Sequence, residues 1–530
     1  MPNRVLAIRK SPDDIQLFES KNCAGRYACL SHCWGEQQLL KTTKHNLEAH
    51  LKSISWNTIP RTFQDAIRVA WHLDLEYLWI DSLCIIQDDA NDWVRESNVM
   101  CDIYENSYIT LAATSALNAS FGLFLKDNGG SVEISGSVSP DTNFKLIVRR
   151  KHDHPSPHGT DIWPLFRRAW VLQERLLSPR VIHFNEHELV WECRQLTQCQ
   201  CGGSHELGKK EHYQTISRPT PANLIQTWHD IVEIFCPLKA TFESDKLPAL
   251  SGLARQMARL RPQARYLAGL WSDSLETDLL WHNYESISHL DLRSYSNSKP
   301  RGWRAPSWSW ASTDAKVVYP HSDYYLGSSE YRGEILHLYS AVSDAQTELA
   351  TKDATGQVKG GSIQIRGPTF EARSVGTRVG APESSESLSV VIKGKGQNLS
   401  SCFGKDDKIL FDFPADPFQN DMEAPDSQRQ IKCVRIARIR RGYRGPLAAT
   451  SVAEVDYGIV VQRLSPSTFY QRIGMAVICR ESEKEKDLQQ PEGMWKKDPA
   501  ALRRVVLLKP LLSFSSMRLC VISFRVDSYR

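Results

Sequence analysis

Between residues 27 and 114 three short apolar runs alternate with two amphipathic stretches, and this alternation restricts the fold more than any other feature. YACLS (Tyr27 to Ser31), YLWID (Tyr77 to Asp81) and YITLAAT (Tyr108 to Thr114) each read as a buried strand. Between the first two, Pro60 opens a helix on which Phe63, Ala66, Ile67, Ala70 and Trp71 recur at helical spacing. Between the second and third, DDANDW supplies acidic cap residues. The helix behind it carries Trp93, Ser97, Met100, Cys101 and Tyr104 on one face. Strand–helix–strand–helix–strand is the order of a parallel sheet with crossover helices, an α/β fold.

Downstream, FKLIVRR (Phe144 to Arg150) reads as a further strand, RRAWVLQERLL as a helix, and VIHF and ELVWEC as two short strands. The chain of 530 residues exceeds a single ordinary core. A mixed helical region, expected over 194–330, contains DKLPALSGLARQMARL and ends near APSWSWAS (Ala305 to Ser312). From about 331 to 530 short β-rich runs dominate, among them SIQIRG, KILFDF, GIVVQRL, MAVICR and LCVISF.

Composition narrows the class of partner. Hydrophobic residues make up 41% and charged residues 24%, a globular balance, and the formal charge of +4 leaves no broad field for nucleic acid or an anionic membrane. The basic run RIRRGYR (Arg438 to Arg444) reads as a solvated strand end. MPNRVLAIRK lacks the apolar core of a secretory signal, and no run of about 18 apolar residues predicts a membrane span. Thirteen cysteines, several inside apolar runs, suit free thiols in a reducing cytoplasm better than a disulfide framework.

YACLSHCWG (27–35), the long segment IPRTFQDAIRVAWHLDLEYLWIDSLCIIQDDANDWVRESNVMCDIYENS (59–107) and RRAWVLQERLLSPRVIHF (167–184) together resemble the fungal heterokaryon-incompatibility (HET) domain. The likeness spans 27–193, with its core at 27–175. It continues through DKLPALSGLA, YLAGLW and PSWSWAS, phrases that often follow such a domain. The resemblance implies a role in fungal non-self recognition and programmed cell death. It also implies protein partners or self-association. The HET domain is in turn similar to the Toll/interleukin-receptor (TIR) fold, which implies a TIR/flavodoxin-like parallel sheet and the possibility of NAD hydrolysis.

Cleaving nicotinamide from ribose needs no acid for a leaving group that already carries a positive charge. A fixed carboxylate that stabilises the oxocarbenium-like ribose serves instead. Glu174 follows Trp170 by one helical turn, and W-x-x-x-E resembles the TIR segment that holds the catalytic glutamate. Arg167, Arg168 and Arg175 would favour the charged carboxylate. The alternative is that Trp170 is core and Glu174 is paired with an arginine.

Open α/β sheets bind ligands at the carboxyl ends of their strands, which makes Ser31, Trp34, Gly35, Asp81 and Ser82 the expected neighbours of Glu174. Trp34 either stacks on a ligand ring or lids the core. Asp81 either accepts from a ribose hydroxyl or caps a turn. His32 has no required part in such chemistry. NAD would be the substrate, and no prosthetic group is expected.

Three weaker constellations remain. Cys193, Cys199, Cys201 and His205 give C-x5-C-x-C-x3-H, four zinc-capable side chains at a non-standard spacing, with free thiols as the other reading. The histidines of HDHPSPH (152–158) read as solvated. Cys33 beside His32, or Cys84, would be a nucleophile only with an oriented base. Neither G-x-x-x-x-G-K-[ST] nor a G-x-G-x-x-G after a strand is present. A non-catalytic signalling or assembly module, with death executed by partners, is the competing function.

Overall fold

The computed structural model describes the chain except residues 10, 12, 22, 36–39, 125–131, 140–141, 149–162, 201–208, 284–299, 301, 321–333, 376–388, 394–407, 412–430, 445–449, 464–469, 481–517 and 527–530. The chain forms two compact units. The first comprises 1–227 and 238–260, and the second 228–237 and 261–530.

The first unit is built on an eight-stranded mixed sheet. Its strands are β1 (Arg4–Ile8), β2 (Ile15–Glu19), β3 (Tyr27–Ser31), β4 (Tyr77–Trp79), β5 (Ile109–Ala112), β8 (Arg180–Phe184), β9 (Leu189–Cys193) and β10 (Thr197–Cys199). They lie in the order β10-β9-β8-β5-β3-β4-β1-β2. The four central strands are parallel, pairing β4 with β3, β3 with β5 and β5 with β8. β1–β2 and β9–β10 extend the sheet antiparallel at its two sides. β3 and β5 are buried at every position, as strands covered on both faces must be.

Helices α1 (Leu47–Lys52), α2 (Arg61–His72), the single turn α3 (Asp81–Cys84) and α4 (Ala90–Glu105) make the crossovers. On α2, Phe63, Ala66, Ile67 and Ala70 are buried, but Trp71 is 36% exposed. Trp71 lies at the far edge of the stripe, where 100° per residue has carried it past the sheet. Asp89 caps α4 by accepting from the amides of Asn91 and Asp92, at 3.0 and 3.3 Å. Of the face expected on α4, Met100, Cys101 and Tyr104 are buried while Trp93 and Ser97 are half-buried, and Asp92 and Glu96 are buried beside them. Those two acids meet Arg4 of β1. Strand β4 is shorter than the YLWID run, because Asp81 already opens the turn α3.

The segment expected as a strand at 144–150 is found as β7 (Thr142–Val148), paired with β6 (Val132–Ser139) in a separate two-stranded sheet. Helix α5 (Ala169–Leu177) follows. Beyond β10 come α6 (Lys209–Ser217), α7 (Pro221–Phe235) and α8 (Ser251–Leu260). Gly252 explains the phrase SGLA. A Cβ there would stand 2.6 Å from Gln173 Oε1 and 2.7 Å from Cys101 Cβ, so only glycine lets α8 seat against α5 and α4. The Gly252 amide donates to Gln173 Oε1 at 3.1 Å.

The second unit is β-rich. It opens with the small hairpin β11 (Tyr266–Leu267) and β12 (Leu270–Trp271), the turn α9 (Leu275–Asp278), and the pair β13 (His282–Asn283) and β14 (Val317–Val318). Its main sheet has nine strands: β15 (Glu334–Leu338), β16 (Ala341–Leu349), β17 (Val358–Val375), β18 (Ser389–Lys393), β19 (Lys408–Phe411), β20 (Ile431–Arg444), β21 (Thr450–Arg463), β22 (Tyr470–Arg480) and β23 (Arg518–Val526). Every pairing in this sheet is antiparallel. The WSW phrase is core: Trp228 Nε1 and Trp310 Nε1 both donate to the Gly269 carbonyl at 2.9 Å, and Trp281 Nε1 donates to the Trp308 carbonyl at 2.9 Å.

Candidate functional site

Consecutive strands β3, β4 and β5 stand side by side in the order β4-β3-β5, so the chain departs from β3 to one side and returns on the other. Such a reversal opens a crevice at the carboxyl ends of the strands. Ser31 ends β3, and Asp81 and Ser82 begin the turn two residues beyond β4. Helix α5 brings Glu174 to the same rim. Ser31 Oγ donates to Glu174 Oε2 at 2.5 Å.

Glu174 is 3% exposed. Burial pushes its carboxyl up to about 7 and the Asp81 charge adds to the rise, while the Arg168 guanidinium and hydrogen bonds from Ser31 and Tyr104 oppose it. The group therefore exchanges its proton near neutral pH. Of the arginines expected to favour its charged form, Arg168 does so, and its guanidinium also donates to the His32 carbonyl. Arg175 is engaged elsewhere. It forms a bidentate pair with buried Glu192 at 2.8 and 2.9 Å, and Glu192 also meets His183 Nε2 at 3.0 Å.

Asp81 is held from two sides: Trp34 Nε1 donates to Oδ2 at 2.9 Å and the Ser82 amide to Oδ1 at 2.7 Å. Its side chain keeps 20% exposure, so this carboxylate is the edge of the cluster that meets solvent. Trp34 is thus tied to Asp81 by its indole N–H. Gly35 has φ +72°, and a Cβ there would lie 2.4 Å from Asn118 Cβ, so the turn after β3 requires glycine on both counts. Ser82 is fully buried.

Trp170 is the expected member that the structure takes elsewhere. Its Nε1 donates to Asp245 Oδ2 at 3.3 Å and its ring meets Trp93 edge-on at 6.4 Å between centroids. The step of four residues keeps Trp170 and Glu174 on neighbouring parts of one helix face, but the partners of the two differ. Conversely, Tyr104 belongs to the cluster without having been expected there, beside Arg168 and His32. Tyr104 already read as part of an apolar stripe, and nothing in local spacing says that its hydroxyl would end beside a carboxylate.

His32 is 2% exposed, packs edge-on against Phe63 at 4.9 Å, and is driven by burial down to about 4, which leaves it neutral at physiological pH. A cysteine nucleophile finds no support here. Burial raises the Cys33 thiol above its ordinary value and pushes Cys84 up to about 12, so both stay protonated.

Free thiols are found at Cys29 and Cys84, whereas Cys199 is disulfide-bonded and so supplies no thiolate to a metal. Cys201, His205 and the histidines of 152–158 lie outside the described residues. Among the described residues no group of three or more metal-capable side chains occurs, and no helix is long and apolar enough to cross a membrane.

Residues 27–174 match the family model described as Heterokaryon incompatibility protein (HET), a segment that ends on Glu174 itself. No curated protein and no solved structure matches the chain.

Proposed function

We propose that this chain, whose residues 27–174 carry a HET domain, serves an incompatibility-type response, non-self recognition followed by cell death, by hydrolysing NAD in the cytoplasm. One observation carries the reading: a single buried carboxyl, Glu174, sits at the carboxyl rim of parallel strands with its proton affinity brought to about 7. The strand order β4-β3-β5-β8 supports a flavodoxin-like or TIR-like arrangement, in which ligands enter at that rim.

In this mechanism the C1′–N bond of NAD breaks and its electron pair leaves with neutral nicotinamide. Ionised Glu174 stabilises the cationic ribose, and water closes the new C1′–O bond. The water proton passes to Glu174 and then to solvent, so the products are nicotinamide, ADP-ribose and one proton. Ser31 and Tyr104 hold the carboxylate in place. Self-association or a protein partner would be the trigger.

Nicotinamide release from NAD tests the reading. Glu174→Gln should lower it by about a hundredfold or more, the usual effect of removing a charge-stabilising group, with the circular dichroism spectrum unchanged. No release from folded, self-associated protein, or equal release from both proteins, defeats the proposal. The low exposure of Glu174 favours a second reading, a signalling module without turnover. Under it, induced expression of Glu174→Gln in a fungal host kills as the wild type does while cellular NAD stays level.

A further inference from the structure

Beside Asp81 lie two buried side chains without a hydrogen-bonding partner among the described residues. They are His32, at both ring nitrogens, and Ser82, at Oγ. Leaving such groups buried and unsatisfied is costly, and native proteins seldom keep them without a use. His32 Nδ1 is 3.8 Å from Asp81 Oδ1, too long for a hydrogen bond. Ser82 follows Asp81 in the chain and its amide donates to Asp81 Oδ1, the same oxygen that His32 Nδ1 approaches, and His32 directly follows Ser31, the partner of Glu174.

The chemistry of the three groups selects a ligand class. A neutral imidazole offers one donor and one acceptor, a serine hydroxyl offers both, and each Asp81 oxygen can accept a further hydrogen bond. Adjacent hydroxyls, each donor and acceptor at once, match that set. A phosphate does not, because Asp81 repels it and the nearby Arg168 guanidinium is committed to the His32 carbonyl.

We propose that Asp81, His32 and Ser82 form a subsite for the vicinal hydroxyls of a ribose, so that ribonucleotides are accepted and deoxyribonucleotides refused. The proposal deepens the reading of Glu174 as an NAD-cleaving residue, but its test reads binding and needs no turnover.

Calorimetric titration of the full chain carrying Glu174→Gln compares nicotinamide mononucleotide with its 2′-deoxy and 3′-deoxy analogues. The ribonucleotide should bind at least about tenfold more tightly, the value of one net hydrogen bond or more. Adding Ser82→Ala should erase most of that preference. Because it removes an unsatisfied hydroxyl, it should leave Tm unchanged or higher, whereas a purely structural serine would lower it. His32→Asn, which keeps a donor and an acceptor, should weaken the ribonucleotide selectively. Equal binding of ribo and deoxy forms, no binding at millimolar concentration, or a lower Tm with unchanged preference in Ser82→Ala overturns the subsite. Ribose preference without nicotinamide release would sink the catalytic reading alone, and release without preference would sink the subsite alone.

Discussion

Ser31 and Glu174, 143 positions apart, are joined by a hydrogen bond of 2.5 Å from hydroxyl to carboxylate. The bond ties the end of a central strand to a helix and holds down a proton affinity that burial raises.

Ser31→Ala therefore removes a group that favours the ionised carboxylate. The Glu174 titration should move upward from about 7 by roughly one pH unit, since a hydrogen bond to a charge contributes about 1.5–3 kcal/mol. Carbon-13 NMR of labelled glutamate, or the acid limb of the pH–rate profile, reads the shift. A downward or absent shift would show that the bond does not hold the charge.

Stability should also depend on this carboxyl. Below its ordinary value of 4.5 both folded and unfolded chains bind the proton. Between 4.5 and about 7 only the folded chain does, so wild type loses stability as pH rises, by roughly 3 kcal/mol in all, and no further above that range. Glu174→Gln escapes the loss. Its urea midpoint should exceed that of wild type at pH 8 and approach it at pH 5. The reverse pH order would mean that the carboxylate is better solvated than its burial indicates.

Glu192→Ala removes the bidentate carboxylate partner of the buried Arg175 guanidinium, which also lies 5.0 Å from the Phe166 ring. Breaking a buried pair by deleting one partner costs about 3–5 kcal/mol, and chemical denaturation should show a loss of that size. Replacing both residues with apolar ones of similar size should recover much of it.

Gly252→Ala tests the seating of α8. The new methyl meets Gln173 and Cys101 below contact distance, and overpacking of this kind costs about 1–3 kcal/mol. A thermal melt with no loss would show that the helices can part without consequence.

How far the fold was legible depended on whether information was local. Strands β3, β4 and β5 and helices α2, α4 and α5 announced themselves through apolar runs and helical spacing, because each is buried by its neighbours in the sheet. β1 and β2 did not, since they are short and take their meaning from pairing with β4 and with each other. The Arg4–Asp92 pair spans 88 positions, and no periodicity carries such a contact. The same limit applied at the candidate site. Strand ends pointed to Ser31, Asp81 and Ser82, and helix spacing to Glu174. The structure brings Trp34 to Asp81, while Trp170 turns to Asp245. Arg168 favours the charged carboxylate as its place on the chain suggested, whereas Tyr104 reaches the carboxyl only through tertiary packing.

The first unit is discontinuous in sequence: the chain leaves it after residue 227 and returns at 238 to add α8. Cutting the gene where the HET match ends, or anywhere before residue 260, would strip away the helix that covers Cys101, Gln173 and Leu177. Such a fragment would present a bare greasy seam to solvent and clump for reasons unrelated to biological signalling. Toxicity or inertness seen with shortened versions should therefore be judged against a version that runs through Leu260.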